Sequence, residues 1–214
     1  MNIRENLDAI AMPCAMAAYF AAAKYALGLR VAPLDAIASL FMLASLLLIA
    51  REKVYGFFFG IAACATYLAY FLSIELFGQA ILQLFAMAVN CAAIYSWTRP
   101  DKKKKKLEPS YMEWKWRTAW LAGLAMTSAI ATRAGAIGTL DFTSIYLVIT
   151  GQAMIARKKT EGWAVWAAAD AAFIILFLIT GAYMTAFRAL LTMVIEIRSF
   201  IAWRRKAGRG RMDS

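Results

Sequence analysis

The 214-residue chain contains no histidine, three cysteines and four prolines. Without histidine it has neither an imidazole base nor a histidine-containing metal set. Cys14, Cys64 and Cys91 are widely separated, and each lies inside an apolar run. They read as small apolar residues, not as ligands or disulfide partners, so no cofactor is expected. Acidic residues are also few: 13 Asp and Glu stand against 24 Lys and Arg, giving a net charge of +11. Long polar segments are nearly missing, and residues 99–117 form the one extended polar connection.

What fills the chain is apolar. Hydrophobic residues make up 63% of it, and the mean hydropathy is +0.60. Soluble domains sit near 45–50% apolar. Apolar runs of about 20 residues recur, each long enough to cross a hydrocarbon layer of roughly 30 Å as a helix. The backbone in lipid must satisfy its own hydrogen bonds, and the alternation of barrel strands is missing. The expectation is an all-α integral membrane protein with spans at 9–29, 32–50, 54–74, 78–97, 116–133, 137–156, 163–181 and 184–203. The first span, alanine-rich with Pro13 and Lys24, also admits a signal-peptide reading, although Glu5 and Asp8 stand where a basic leader would be.

Charge then sets orientation. Arg51 and Lys53, Arg99 with Lys102 to Lys106, Arg157 to Lys159, and Arg204, Arg205, Lys206, Arg209 and Arg211 follow the even-numbered spans. The other connections carry little positive charge. Basic loops stay in the cytoplasm, which places the C-terminus there. A basic pI would suggest nucleic acid in a soluble protein; here the charge orients the chain, and no nucleic acid is expected. The bilayer is the partner, and the lysine run either touches anionic headgroups or is simply solvated.

The chain matches itself at a shift of 106 positions, which carries Asp35 onto Asp141. Leu34, Ile49-Ala50-Arg51, Lys53, Gly56, Ala62-Ala63, Phe71-Leu72, Met87, Trp97 and Arg99 all recur, with no gap between 34–99 and 140–205. The charged and tryptophan matches at helix ends carry the argument. Spans 2–4 and 6–8 are two copies of one three-helix unit, and span 5 returns the chain so that both copies point the same way. The expected organisation is an N-terminal helix (1–31), a first repeat (32–98), a basic loop and linker helix (99–136), a second repeat (137–205) and a basic cytoplasmic tail (206–214). Transporters built on such parallel repeats hold solute near the midplane between the copies and expose it alternately to each side.

Function is sought where the copies differ in polarity. Phe57, Gly60 and Cys64 become Trp163, Trp166 and Asp170, a W-x-x-W-x-x-x-D pattern with all three residues on one helix face. Asp170 lies about 10 Å along the axis from Trp163, well inside the membrane. Two indoles beside a carboxylate suit a flat cation. The plainer alternative puts the indoles in the interfacial belt and pairs Asp170 with a basic residue. Gln152 replaces Leu46 and either contacts ligand or bridges helices. Gln83 and Asn90 share one face of span 4; their counterparts are Ala189 and Glu196. Asn90 and Glu196 read as symmetry-related polar points on a cavity, with a salt bridge from Glu196 to Arg188 or Arg198 as the alternative. Asp35 and Asp141 read as helix N-caps.

Enzyme chemistry is not expected. Intramembrane hydrolysis needs a Ser–His pair, a zinc motif or paired aspartates. No G-x-S-x-G occurs, and no helix carries D-x-x-x-D. A non-transporting binding subunit needs the same pocket as a transporter, and the sequence does not separate the two.

The stretch from Gly151-Gln152 through Arg157-Lys158-Lys159-Thr160-Glu161-Gly162 to Trp163, Trp166 and Asp170 resembles the signature region of the PnuC (Pnu) family of vitamin transporters. That pattern is a glutamine, a short basic loop, then W-x-x-W-x-x-x-N/D. The Trp97 and Trp203 helix ends and the three-plus-one-plus-three layout also resemble these proteins, which are full-length relatives of the SWEET fold. The resemblance implies uptake of a vitamin or its nucleoside across a bacterial inner membrane. The substrate classes are nicotinamide riboside, thiamine, riboflavin and deoxynucleosides. It implies facilitated diffusion, with a cytoplasmic kinase trapping the solute; a homo-oligomer is compatible with it. It carries ligand contact onto Trp163, Trp166, Asp170 and Gln152. The family often has asparagine where Asp170 stands, and that departure leaves the substrate open. Nicotinamide riboside and thiamine are flat cations that an ionised Asp170 suits; neutral riboflavin gains less.

Overall fold

A helical membrane protein should turn apolar side chains outward, and this one does. The computed structural model describes residues 32–73, 77–99, 108–179 and 183–212, together with Cys14, Ala17, Ala18, Phe20, Ala21 and Tyr25. Apart from those six residues, which are helical, the expected span 9–29 lies outside the described residues, as does the lysine run. Among the described residues there are seven α-helices: α1 (Pro33–Ala50), α2 (Tyr55–Ser73), α3 (Phe77–Thr98), α4 (Trp114–Ala131), α5 (Gly135–Ala156), α6 (Glu161–Ile179) and α7 (Tyr183–Met212). Four segments, Pro33–Ala50, Tyr55–Ser73, Ala80–Thr98 and Gly135–Ala156, are long and apolar enough to cross a membrane. Large apolar side chains such as Phe58, Ile81, Met126, Ile130 and Ile179 are more than half exposed. A soluble surface does not carry so many; hydrocarbon is their solvent.

The chain forms two units, Met1–Tyr95 and Ser96–Ser214. In the first, α1 and α2 pair closely. The buried residues of α2, Gly56, Phe57, Gly60, Ala63, Cys64 and Tyr67, step by three and four and so form one stripe. Facing them on α1 are Ala38, Ser39, Leu43, Ser45, Leu46 and Ile49. The Ser39 and Tyr67 hydroxyls, 2.9 Å apart, satisfy each other inside this seam.

In the second unit, α5 packs on α6 and α6 on α7, while α4 lies against α5. Trp120 Nε1 donates to Thr150 Oγ1 at 3.0 Å, and Tyr146 Oη donates to the Trp120 carbonyl at 3.0 Å. Leu147, Met154, Val165 and Ala169 form its apolar core. The segment that begins at Glu108 is fixed to the α5–α6 turn. Ser110 N donates to Lys158 O, and Thr160 N donates to Ser110 O, both at 3.0 Å. Lys159 Nζ adds bonds to Ser110 Oγ and Tyr111 O.

The two interhelical turns are alike. Glu52 and Lys158 stand 106 positions apart, and both adopt left-handed φ, 58° and 51°. Lys53 N donates to Leu48 O and Lys159 N to Met154 O, at 2.9 and 2.8 Å. Glu52 N donates to Ile49 O and Lys158 N to Ile155 O, at 2.8 and 2.9 Å. Each is a Schellman-type stop, which answers the last carbonyls of one helix before the next begins. Directly after, a glycine lets the paired helices touch. A Cβ on Gly56 would sit 2.8 Å from Ile49 N; one on Gly162 would sit 2.9 Å from Gly151 O. Backbone must move to admit either. Gly162→Ala or Gly56→Ala is therefore expected to cost about 1–3 kcal/mol and lower the thermal unfolding midpoint in detergent. Gly208→Ala, where a Cβ meets open space, should leave it unchanged or slightly raised.

Two expectations need correction, and the last helix runs on past its expected span, to Met212, through the basic segment. Hydropathy marks where the membrane ends, whereas Ala, Arg and Lys continue a helix readily. Asp35 is not a cap: Pro33 starts α1 behind Ala32, and Asp35 falls in the first turn, where its charge suits the helix dipole. Asp141 is not a cap either. Gly135, at φ 74°, reverses the chain after a 3-10 turn at Thr132–Ala134, so α5 begins six residues before Asp141.

Candidate functional site

The candidate residues of α6 meet α7 in the second unit. Trp163 is fully enclosed. Its ring stands edge-to-face with Trp166 (5.7 Å between centroids, 84°) and with Trp203 of α7 (5.4 Å, 82°). Trp97 extends the series, 6.0 Å from Trp203. Such T-shaped contacts align the positive edge of one ring with the negative face of the next, worth about 0.5–1.5 kcal/mol each beyond burial. Two polar handles lock the ends. Trp97 Nε1 and Ser96 Oγ both donate to the Ala156 carbonyl, at 3.1 and 2.8 Å, and Trp166 Nε1 donates to Val148 O at 3.1 Å. The buried Lys158 ammonium lies 4.3 Å from the Trp97 ring centre, a cation–π contact. Trp163 and Trp203 are enclosed by protein, and Trp166 is half-buried beside them.

Trp166 reaches its place because α5 carries glycine opposite it. A Cβ on Gly151 would lie 2.6 Å from Trp166 Cδ1. The first unit inverts the volumes: Ser45 stands at the position of Gly151, and Gly60 at that of Trp166. A Cβ on Gly60 would lie 3.1 Å from both Ser45 Oγ and Asn90 Nδ2. Asn90, buried there, donates to Cys64 Sγ at 3.9 Å.

One turn beyond Trp166, Asp170 is buried. Its Oδ2 accepts a hydrogen bond from Thr192 Oγ1 of α7. The Glu196 carboxyl lies beside the Asp170 carboxyl, and the Arg188 guanidinium is near enough to act electrostatically on both. Arg188, Thr192 and Glu196 step by four, which puts all three on one face of α7. Glu196 Oε2 and Trp163 Nε1 are buried with no hydrogen-bond partner among the described residues. Unanswered buried polar atoms are costly in a closed core. They mark a region able to accept polar groups from a ligand.

Of the residues selected from sequence, the structure gathers Trp163, Trp166, Asp170 and Glu196. Gln152 is half-buried on α5, next to Gly151. Gln83, half-buried, and Asn90 belong to the first unit. Thr192 was missed and Arg188 entered only as a salt-bridge alternative for Glu196, although the same comparison of copies points to both: they replace Ala86 and Leu82. No group of three or more Cys, Asp and Glu able to hold a metal occurs among the described residues.

Fold and site together define an all-helical membrane protein with an aromatic and acidic interior site, which is the construction of a solute carrier. A family model described as nicotinamide mononucleotide transporter matches residues 32–205, and the chain belongs to that family of membrane transporters, not to a family of enzymes. It is 19% identical over 201 residues to the nicotinamide riboside transporter PnuC of Escherichia coli (strain K12), covering 79% of this chain and 84% of that protein. The same figures hold for nicotinamide riboside transporter PnuC of Shigella flexneri. Among solved structures, the crystal structure of the vitamin B3 transporter PnuC matches with a TM-score of 0.77 at 14% identity, over 98% of this chain and 94% of that one. The fold is the same.

Proposed function

We propose that this chain carries nicotinamide riboside across a bacterial inner membrane by facilitated diffusion, with phosphorylation by a cytoplasmic kinase trapping the solute. The observation that carries the reading is the α6 face on which Trp163, Trp166 and Asp170 follow one another, with Glu196 beside Asp170. Trp166 supplies a ring for a pyridinium to stack on, held in place by Trp163. Asp170 supplies negative charge in a place without bulk water, part of it offset by the nearby Arg188 guanidinium. The mononucleotide named in the family description adds a phosphate, which two carboxyl groups disfavour; the riboside has the better charge. Ribose hydroxyls would answer the unpartnered Glu196 oxygen. Gln152, Asn90 and Gln83 are proposed as secondary polar contacts.

The arrangement of parallel repeats as three-plus-one-plus-three spans after an N-terminal helix, eight in all, belongs to the same reading. Its support is the pair of matching turns and matching glycine contacts at a constant shift of 106 positions. The cytoplasmic C-terminus is supported by the exposed Arg204, Arg205 and Lys206.

Thiamine is the second reading, favoured by the carboxylate at 170 because thiamine too is a flat cation. The experiment is uptake of labelled nicotinamide riboside into proteoliposomes holding the purified chain. The expected result is saturable entry that stops at equal concentration, persists with a protonophore, and is competed weakly by riboflavin. Binding without entry would make the chain a receptor. Loss of entry with the protonophore would replace facilitation by coupling.

A further inference from the structure

On the face of α6 opposite Trp163, Trp166 and Asp170 lies a groove of 580 Å³, bounded by residues 111–112, α4, α5 and α7. Its floor is apolar: Leu121, Met154, Val165 and Phe200. Its rim carries Arg117, Arg204, Tyr111 and Glu161. Glu161 is already engaged. Both its oxygens accept from Met112 N, at 3.0 and 3.1 Å, and Arg117 Nη2 reaches it at 2.5 Å. That leaves two guanidiniums against one carboxylate. Arg117 Nε is buried without a hydrogen-bond partner, while its side chain as a whole is 42% exposed. The Tyr111 hydroxyl holds the wall closed by donating to Arg204 O at 3.3 Å.

The level of the groove is fixed by its neighbours. Trp114 and Trp116, in the first turn of α4, are 76% and 57% exposed, as interfacial anchors are. Lys115 beside them is exposed. An apolar floor under a cationic rim at the headgroup level matches one ligand chemistry: a hydrocarbon chain joined to an anionic phosphate. The volume lies within the range of small-ligand sites, enough for one acyl chain and its glycerol but not for a whole lipid.

We propose that this groove is a binding site for an anionic phospholipid, its phosphate between Arg117 and Arg204 and one acyl chain along the floor. The site is separate from the solute face and does not depend on which solute is carried.

The test is native mass spectrometry of the full chain, delipidated in detergent, with phosphatidylglycerol and phosphatidylcholine of equal acyl length. The expected result is one phosphatidylglycerol retained at least about fivefold better than phosphatidylcholine. Arg204→Ala should remove that preference, because Arg204 lines the groove with an exposed side chain and can be replaced without breaking the Arg117–Glu161 pair. Arg205→Ala, equally basic but outside the groove, should keep it. Phe200→Trp, which fills the floor, should reduce retention of both lipids. Equal retention of the two lipids, or an unchanged preference in Arg204→Ala, would overturn the proposal. So would inorganic phosphate binding to a protein that retains neither lipid.

Discussion

Asp170→Ala is expected to weaken nicotinamide riboside binding by about ten- to a hundredfold, read by calorimetric titration of the purified protein. A hydrogen bond or close contact to a charged group contributes about 1.5–3 kcal/mol, and each 1.4 kcal/mol is tenfold. The variant should still fold. Thr192 Oγ1 loses Asp170 as an acceptor but stays close to Arg188 O and Ala189 O, at 3.1 and 3.0 Å, so no hydroxyl is stranded. Glu196 remains, which sets the upper limit of the loss. Asp170→Asn separates charge from shape. The amide keeps an oxygen for Thr192 and the resemblance implies asparagine at this place in relatives, so folding is retained. Its loss should be smaller than that of alanine and confined to cationic ligands. Affinity unchanged in both variants would remove Asp170 from the site.

Trp166→Ala carries the second large effect. A desolvated cation–π contact is worth about 2 kcal/mol, so the loss should be near thirtyfold. The ring is half-buried, and its removal also frees the Val148 carbonyl. A fall in affinity from general loosening would look similar, so a second variant is needed. Gly151→Ala keeps the indole but places a Cβ where Trp166 Cδ1 now lies, forcing the ring to turn. It should weaken binding while tryptophan content stays the same. Trp163→Ala differs in kind. Trp163 holds two edge-to-face contacts in a closed interior, so its loss should lower the unfolding midpoint as well as affinity. Full affinity in both Trp166→Ala and Gly151→Ala would show that the ring does not touch ligand.

How far sequence reached depended on which physics was being read. Helix positions were legible because hydrocarbon requires long apolar helices and basic residues mark their ends; α1 to α6 begin and end within a few residues of expectation. The end of α7 was not, because a helix leaving the membrane keeps its backbone bonds while its hydropathy drops. The caps failed for a related reason: Asp35 has the right residue type, but Pro33 and Gly135 decide where helices start. Within the site, W-x-x-W-x-x-x-D was legible from the difference in polarity between the two copies. The partners across the helix pair were less so. Thr192 is an ordinary hydroxyl in an apolar run, and only its contact with Asp170 gives it meaning. Gly151 reads as a helix weakness until Trp166 is seen to fill the space it leaves. Arg117 and Glu161, 44 residues apart, could not have been paired from the chain alone.

The charge of the ligand is the heart of the account, and one comparison isolates it. Titrate the wild-type protein with nicotinamide riboside and with its dihydro form, which has nearly the same outline but a neutral ring. The account predicts that the cation binds at least about tenfold tighter, and that Asp170→Asn narrows the gap. Equal affinities for the charged and the neutral riboside would contradict it.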